Sequence, residues 1–154
     1  MKKLLGLLAL LTILSCQTLV AYEYHGPETE LIALINNERA ANGVPPLTTN
    51  WEAARLARYK TEEMRAHQHF GHESLFYGNP AETLVRFYVC FDAVGANIAL
   101  GHETAQDVLA AWINAPGHHA NLINPIYTSA GVGLSWDDDG IPYWTIILIR
   151  QGPT

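Results

Sequence analysis

The stretch Ala115-Pro-Gly-His-His-Ala-Asn-Leu-Ile-Asn-Pro125, with Gly95-Ala-Asn-Ile-Ala99 ahead of it, carries the residue types best suited to chemistry. A helical pattern runs up to Pro116 and Gly117, which predict its end, and His118 and His119 follow at once. A side chain at such a break projects from a fixed place without being sunk in a helix face, and an imidazole there can bind a ligand, hold a metal or move a proton. His118 is the candidate. His119, its neighbour, must point another way and is expected at the surface or at a cap.

The elements that position this stretch follow from periodicity. Pro27 opens a helix with Glu28 and Glu30 at the positive end of its dipole; Leu31, Leu34 and Ile35 form its apolar stripe, Asn36 to Arg39 its polar side, and Asn42-Gly43 its stop. Val44-Pro-Pro-Leu47 is an extended connector. Thr49 and Glu52 have capping-box spacing for a second helix to about His67, buried through Ala53, Leu56, Ala57 and Met64. His67 to His72 close it, and a polar loop runs on to Pro80. A third helix is predicted from Glu82 to Tyr88, with Leu84, Val85 and Phe87 partly buried.

Val94 to Leu100 reads as a short turn and strand around Asn97, whose amide is expected to tie the loop backbone. Thr104 caps the next helix, with Ala105, Val108, Leu109 and Trp112 on one face, and one more helical turn fits Ala120 to Ile123. The period then changes. Gly131 to Trp136 and the apolar run Tyr143 to Ile149 form an antiparallel hairpin about the turn Asp137 to Gly140, which is read as solvated rather than as a calcium loop. The second strand has no polar face, so helices must cover both sides of the sheet. Trp112, Trp136 and Trp144 are expected in the core, as is Cys90 between Val89 and Phe91.

The 154 residues, 49% hydrophobic, suffice for one domain with its own core. Lys2 and Lys3 followed by the apolar run Leu4 to Leu14 form an export signal, too short to span a bilayer. Two endings compete: Leu19-Val20-Ala21 suits ordinary signal peptidase, while Ile13-Leu14-Ser15-Cys16 resembles a bacterial lipobox, and the brevity of the signal favours lipidation of Cys16. The resulting division is an export signal over 1–21 (or 1–15), a tether over 22–27 and a domain over 28–154. Cys90 then has no disulfide partner. Loss of Lys2 and Lys3 leaves seven lysines and arginines against fifteen carboxylates, a charge of −8. That surface repels nucleic acid and anionic headgroups, so membrane attachment is expected only through lipid on Cys16, and the location is extracytoplasmic.

Five segments in order, LINNERAANGVPPL from Leu34's neighbourhood onward, FGHES around His72, GANIA at 95–99, AWINAPGHHANLINP at 111–125 and AGVGLSW at 130–136, resemble bacterial members of the CAP superfamily of cysteine-rich secretory, antigen 5 and pathogenesis-related proteins. The resemblance covers residues 28 to 150. It implies an α+β fold, a three-layer α-β-α sandwich with a small, mainly antiparallel sheet, and a cleft with two histidines and two acidic residues, the histidines able to bind a divalent metal such as zinc. By motif the histidines are His72 and His118. The acids fall at Ala96 and at about Ala115, so both carboxylates are replaced. Hydrolysis at a metal needs a base to take a proton from bound water, which lowers the expectation of catalysis. The expected function is a binding module for a lipid, a cell-envelope component or a peptide; the alternative is a metal-dependent hydrolase or peptidase in the same cleft.

Overall fold

In the computed structural model, which describes residues 26–152, the chain runs α1 (Gly26–Ala41), β1 (Thr48–Thr49), α2 (Trp51–His67), α3 (Pro80–Arg86), β2 (Ala93–Leu100), α4 (Ala105–Asn114), α5 (Pro116–Leu122), β3 (Ser129–Trp136) and β4 (Pro142–Arg150). The sheet order is β1-β3-β4-β2. β1 pairs in parallel with β3, and the other pairings are antiparallel. The export signal, Cys16 and His25 lie outside the described residues.

The apolar run of β4 is buried from Pro142 to Ile149, as a strand covered on both faces requires. Trp144, Ile146 and Leu148 pack towards α1 and α4 with Leu31, Ile35, Val108 and Trp112; Ile147 and Ile149 pack on the other face with Leu56 and Ala57 of α2 and Leu84 of α3. These are the three layers the sequence predicts. α2 lies directly on β3, where the missing side chains of Gly131 and Gly133 leave room for the backbone of Ala53, Ala54, Ala57 and Arg58.

Several local expectations are corrected. α1 starts at Gly26, two residues inside the expected tether, with Pro27 in its first turn. The cap of α2 is Asn50, whose Oδ1 accepts from Ala53 N at 2.9 Å; Thr49 is taken up by β1. α3 begins at Pro80 because Asn79 and Glu82 form a reciprocal capping box, and Val85 faces solvent. The passage around Asn97 is a full strand. Pro116 opens α5 rather than merely ending α4, its fixed φ and absent N–H being suited to a first helical position. Cys90 is exposed, since Val89 and Phe91 turn inward on either side of it, and Trp136, at the last position before the hairpin turn, is 53% exposed.

Arg39, expected on the polar side of α1, is 1% exposed. Its Nε donates to Pro45 O at 2.8 Å, Nη1 to Leu122 O at 2.7 Å and Asn124 O at 3.1 Å, and Nη2 to Tyr127 O at 3.0 Å. Burial lowers its pKa from the ordinary arginine value. The buried cation thus sits at the carbonyl end of α5 and ties that helix to α1.

Candidate functional site

The cleft opens at the edge of β2. His72 comes from the loop after α2, on one face of the sheet, and His118 from the first turn of α5, on the other; their ring centroids are 5.7 Å apart. Two residues 46 positions apart in sequence are therefore neighbours.

The segment that carries each ring is held by identifiable bonds. Asn97, fully buried on β2, donates from Nδ2 to His118 O at 3.0 Å and accepts at Oδ1 from Asn121 Nδ2 at 2.9 Å, fixing α5 against the strand. His119 points away, its Nε2 2.9 Å from Glu38 Oε1 of α1. On the other side, buried Lys60 donates to Glu63 Oε2 at 3.1 Å and to Glu73 O at 2.6 Å, while Glu63 Oε1 accepts from Ser74 Oγ at 2.6 Å and from Leu75 N at 3.0 Å. This network pins the loop that carries His72. Lys60 and Glu63 were missed from sequence, although Lys60 stands four positions after Leu56, on the stripe that α2 buries.

Electrostatics favour a neutral His72. Partial burial, then the adjacent His118 and the Lys60 ammonium, lower its pKa from the ordinary 6.5. A His118→Ala variant is expected to move the His72 pKa back up, read from its ring proton shifts by NMR titration; an unchanged value would separate the two rings. Because the folded value is depressed, the stability tied to His72 is present above the unfolded value and falls as pH drops through the folded one.

Beneath His72 a small hollow of about 20 Å³, open on one side, is lined by Leu56, Tyr59, Leu84, Ala96, Ile98 and Ile147. Burial first, and then its neighbour Tyr77, push the Tyr59 phenol up to about 12, so it stays protonated. The buried Thr145 hydroxyl also lines the hollow and has no hydrogen-bond partner among the described residues. Ala96, one of the expected acid positions, is part of this wall; Ala115, the other, is the N-cap of α5 and supplies no side-chain cap. Glu73 and Glu103 are exposed.

The sequence pattern of the cysteine-rich secretory protein family, CAP, matches residues 32–148. The chain belongs to the CAP family. Among curated relatives it is 36% identical over 106 residues to the uncharacterized protein YkwD of Bacillus subtilis, covering 69% of this chain and 41% of the relative. It is 31% identical over 107 residues to the membrane protein YlbC of the same organism, covering 70% and 31%. This CAP chain thus spans less than half the length of either. Among solved structures, an extracellular SCP-domain protein of Bacillus anthracis matches with TM-score 0.74 and 30% identity over 82% of this chain and 41% of that one. An outer surface protein of Borrelia burgdorferi shares the fold, with TM-score 0.75 and 20% identity over 80% and 92%.

In this CAP domain the donor set for a metal is short. Ligand nitrogens stand about 2 Å from zinc, so rings sharing an ion have centroids no more than about 6 Å apart, and His72 and His118 meet that limit. No group of three or more histidine, cysteine, aspartate or glutamate side chains comes together among the described residues. His72 and His118 would be the two donors for such an ion, with its remaining positions left to water or a ligand.

Proposed function

We propose that this CAP domain is an extracytoplasmic binding module, secreted or anchored through lipid on Cys16, whose cleft receives a lipid, a cell-envelope component or a peptide at His72 and His118. The ligand meets the imidazoles directly or through a divalent ion such as zinc. The observation that carries this reading is the approach of the two rings to 5.7 Å beside an apolar hollow, with alanine at both expected acid positions. The extracellular and surface proteins among the structural neighbours support the location, and no described helix is long and apolar enough to cross a membrane.

A metal-dependent hydrolase in the same cleft has less support. Glu63, the buried carboxylate nearest in sequence to the His72 loop, accepts from Lys60, Ser74 and Leu75 and is occupied in holding that loop. Zinc uptake by calorimetry tests the metal part. His72→Ala and His118→Ala should each abolish stoichiometric uptake, and wild-type uptake should fall as pH drops below the ordinary imidazole range. Equal uptake by wild type and both variants would remove the ion from the proposal.

A further inference from the structure

Among the described residues ten large apolar side chains are exposed, and six of them belong to the start of α2, the loop after it and the α3 region. Ring contacts make these a continuous strip. The Arg55 guanidinium lies 5.8 Å from the Trp51 ring and 5.5 Å from that of Phe87; Phe87 packs on Tyr77 at 5.2 Å, Tyr77 on Phe76 at 6.3 Å and Phe76 on His67 at 5.3 Å. The strip thus runs the length of α2, from its first residue to its last. Trp51, Phe76 and Val85 are each more than half exposed, and Tyr88 is 93% exposed. Tyr88 also holds a φ of 59°, where bulky residues rarely sit, while its ring lies in water. Apolar surface gathered in this way marks a contact.

Two observations select what meets it. The first is where the chain enters the domain. Glu28, two residues after Gly26, accepts from Arg58 Nε of α2 at 2.9 Å, and Arg55 and Trp51 lie one and two turns back along the same helix. Ten residues separate Cys16 from Gly26 and reach at most about 35 Å. A domain of this size is itself about 35 Å across, so a lipid on Cys16 keeps the outer side of α2 within one domain width of the bilayer. The second is the geometry of the rings. Neighbours are inclined at 83° for Tyr77 and Phe87 and at 61° for Phe76 and Tyr77, which leaves no run of parallel faces on which a sugar chain can stack. Tryptophan, tyrosine and arginine together suit the boundary between headgroups and acyl chains.

We infer that this aromatic strip rests on a zwitterionic lipid surface, the bilayer to which the domain's own Cys16 is anchored. The inference rests on the anchored form of the proposed function and not on a metal or on the occupant of the cleft. A chain charge of −8 once Lys2 and Lys3 are lost repels anionic headgroups, so burial of Trp51, Phe76, Val85 and Tyr88 supplies the attraction. Contact weak for a free domain becomes effective when the anchor makes it intramolecular. Docking also fixes orientation, since Phe76 belongs to the loop that carries His72 and brings the mouth of the cleft to the lipid.

The test couples the chain from Cys16 onward, with Cys90→Ser, through the Cys16 thiol to a maleimide lipid in phosphatidylcholine vesicles. Brominated phosphatidylcholine should then quench tryptophan emission, and Trp51→Phe should remove the quenched part, because Trp112 and Trp144 are buried. Val85→Asp with Tyr88→Asp should lower the quenching at least about threefold with the urea midpoint unchanged, since both side chains are exposed and aspartate tolerates the φ of position 88. No quenching of the coupled protein, quenching that survives Trp51→Phe, or quenching indifferent to the two aspartates overturns the inference. So does a dimer of the uncoupled chain in sedimentation that the aspartates dissociate, which would assign the strip to a second copy. Chemical coupling separates this result from the anchor itself. Acylated Cys16 in protein from its own host, found by mass spectrometry while the coupled protein is not quenched, would leave the anchored reading standing and remove only the strip.

Discussion

Gly131→Ala lowers the stability of the domain by at least about 3 kcal/mol, enough to shift Tm by about 10 °C. A side chain added at Gly131 overlaps the main chain of Ala53 and Ala54, and one added at Gly133 comes within 2.6 Å of Ala57 O. In both cases the obstruction is helix backbone, which cannot rotate aside as a side-chain tip can. Relief requires α2 to lift from the sheet, and with it Leu56 and Ala57 from Ile147 and Ile149. Domains of this kind have about 5–15 kcal/mol in total, so Gly131→Ala combined with Gly133→Ala is expected to leave no folded population. Gly117→Ala is the control. Nothing lies within 4 Å of a side chain added there, and alanine is the better helix former, so that variant should keep or slightly raise Tm. A Gly131→Ala protein melting with wild type would mean that α2 does not rest on β3.

The contrast between these glycines also shows what sequence can and cannot reveal. The layers were readable because a strand with no polar face demands cover on both sides, and the stripes of α1, α2 and α4 supply it. Asn97 was readable because a buried amide in a small-residue strand needs partners, and it has them in His118 O and Asn121. His118 was found by the break at Pro116, although that proline starts a helix where the sequence suggested only an end. His72 has no such local signal. It was placed by likeness to a family, since only the fold carries the loop after α2 to the far side of β2. Lys60, Glu63 and Arg39 escaped for a common reason: charged residues are assigned to solvent by default, and only three-dimensional contact shows that carbonyls and carboxylates replace the water. Trp136 and Cys90 failed in the opposite sense, their apolar character being outweighed by position at a hairpin end and in an extended segment whose neighbours point inward.

Arg39→Met is expected to cost about 3–5 kcal/mol and to disorganise the cleft as well as the core. Methionine fills much of the same volume but donates nothing, so Pro45 O, Leu122 O, Asn124 O and Tyr127 O lose their shared donor, and the carbonyls of buried Leu122 and Tyr127 have little water to replace it. Lysine keeps the charge but lacks the planar fork that reaches four carbonyls at once, so Arg39→Lys should fall between wild type and Arg39→Met in urea midpoint. The consequence for function runs through α5. Its carbonyl end is held by Arg39 and its first turn presents His118, so loosening one end weakens the hold on the other near His72, leaving it to the Asn97 bond, the His119–Glu38 link and the packing of Leu122 in the core. Zinc uptake by folded Arg39→Lys, measured well below its unfolding temperature, should therefore be weaker than wild type by more than about threefold even though the substitution is remote from either ring. Equal uptake with a lowered midpoint would confine Arg39 to the core and leave α5 positioned by β2 alone.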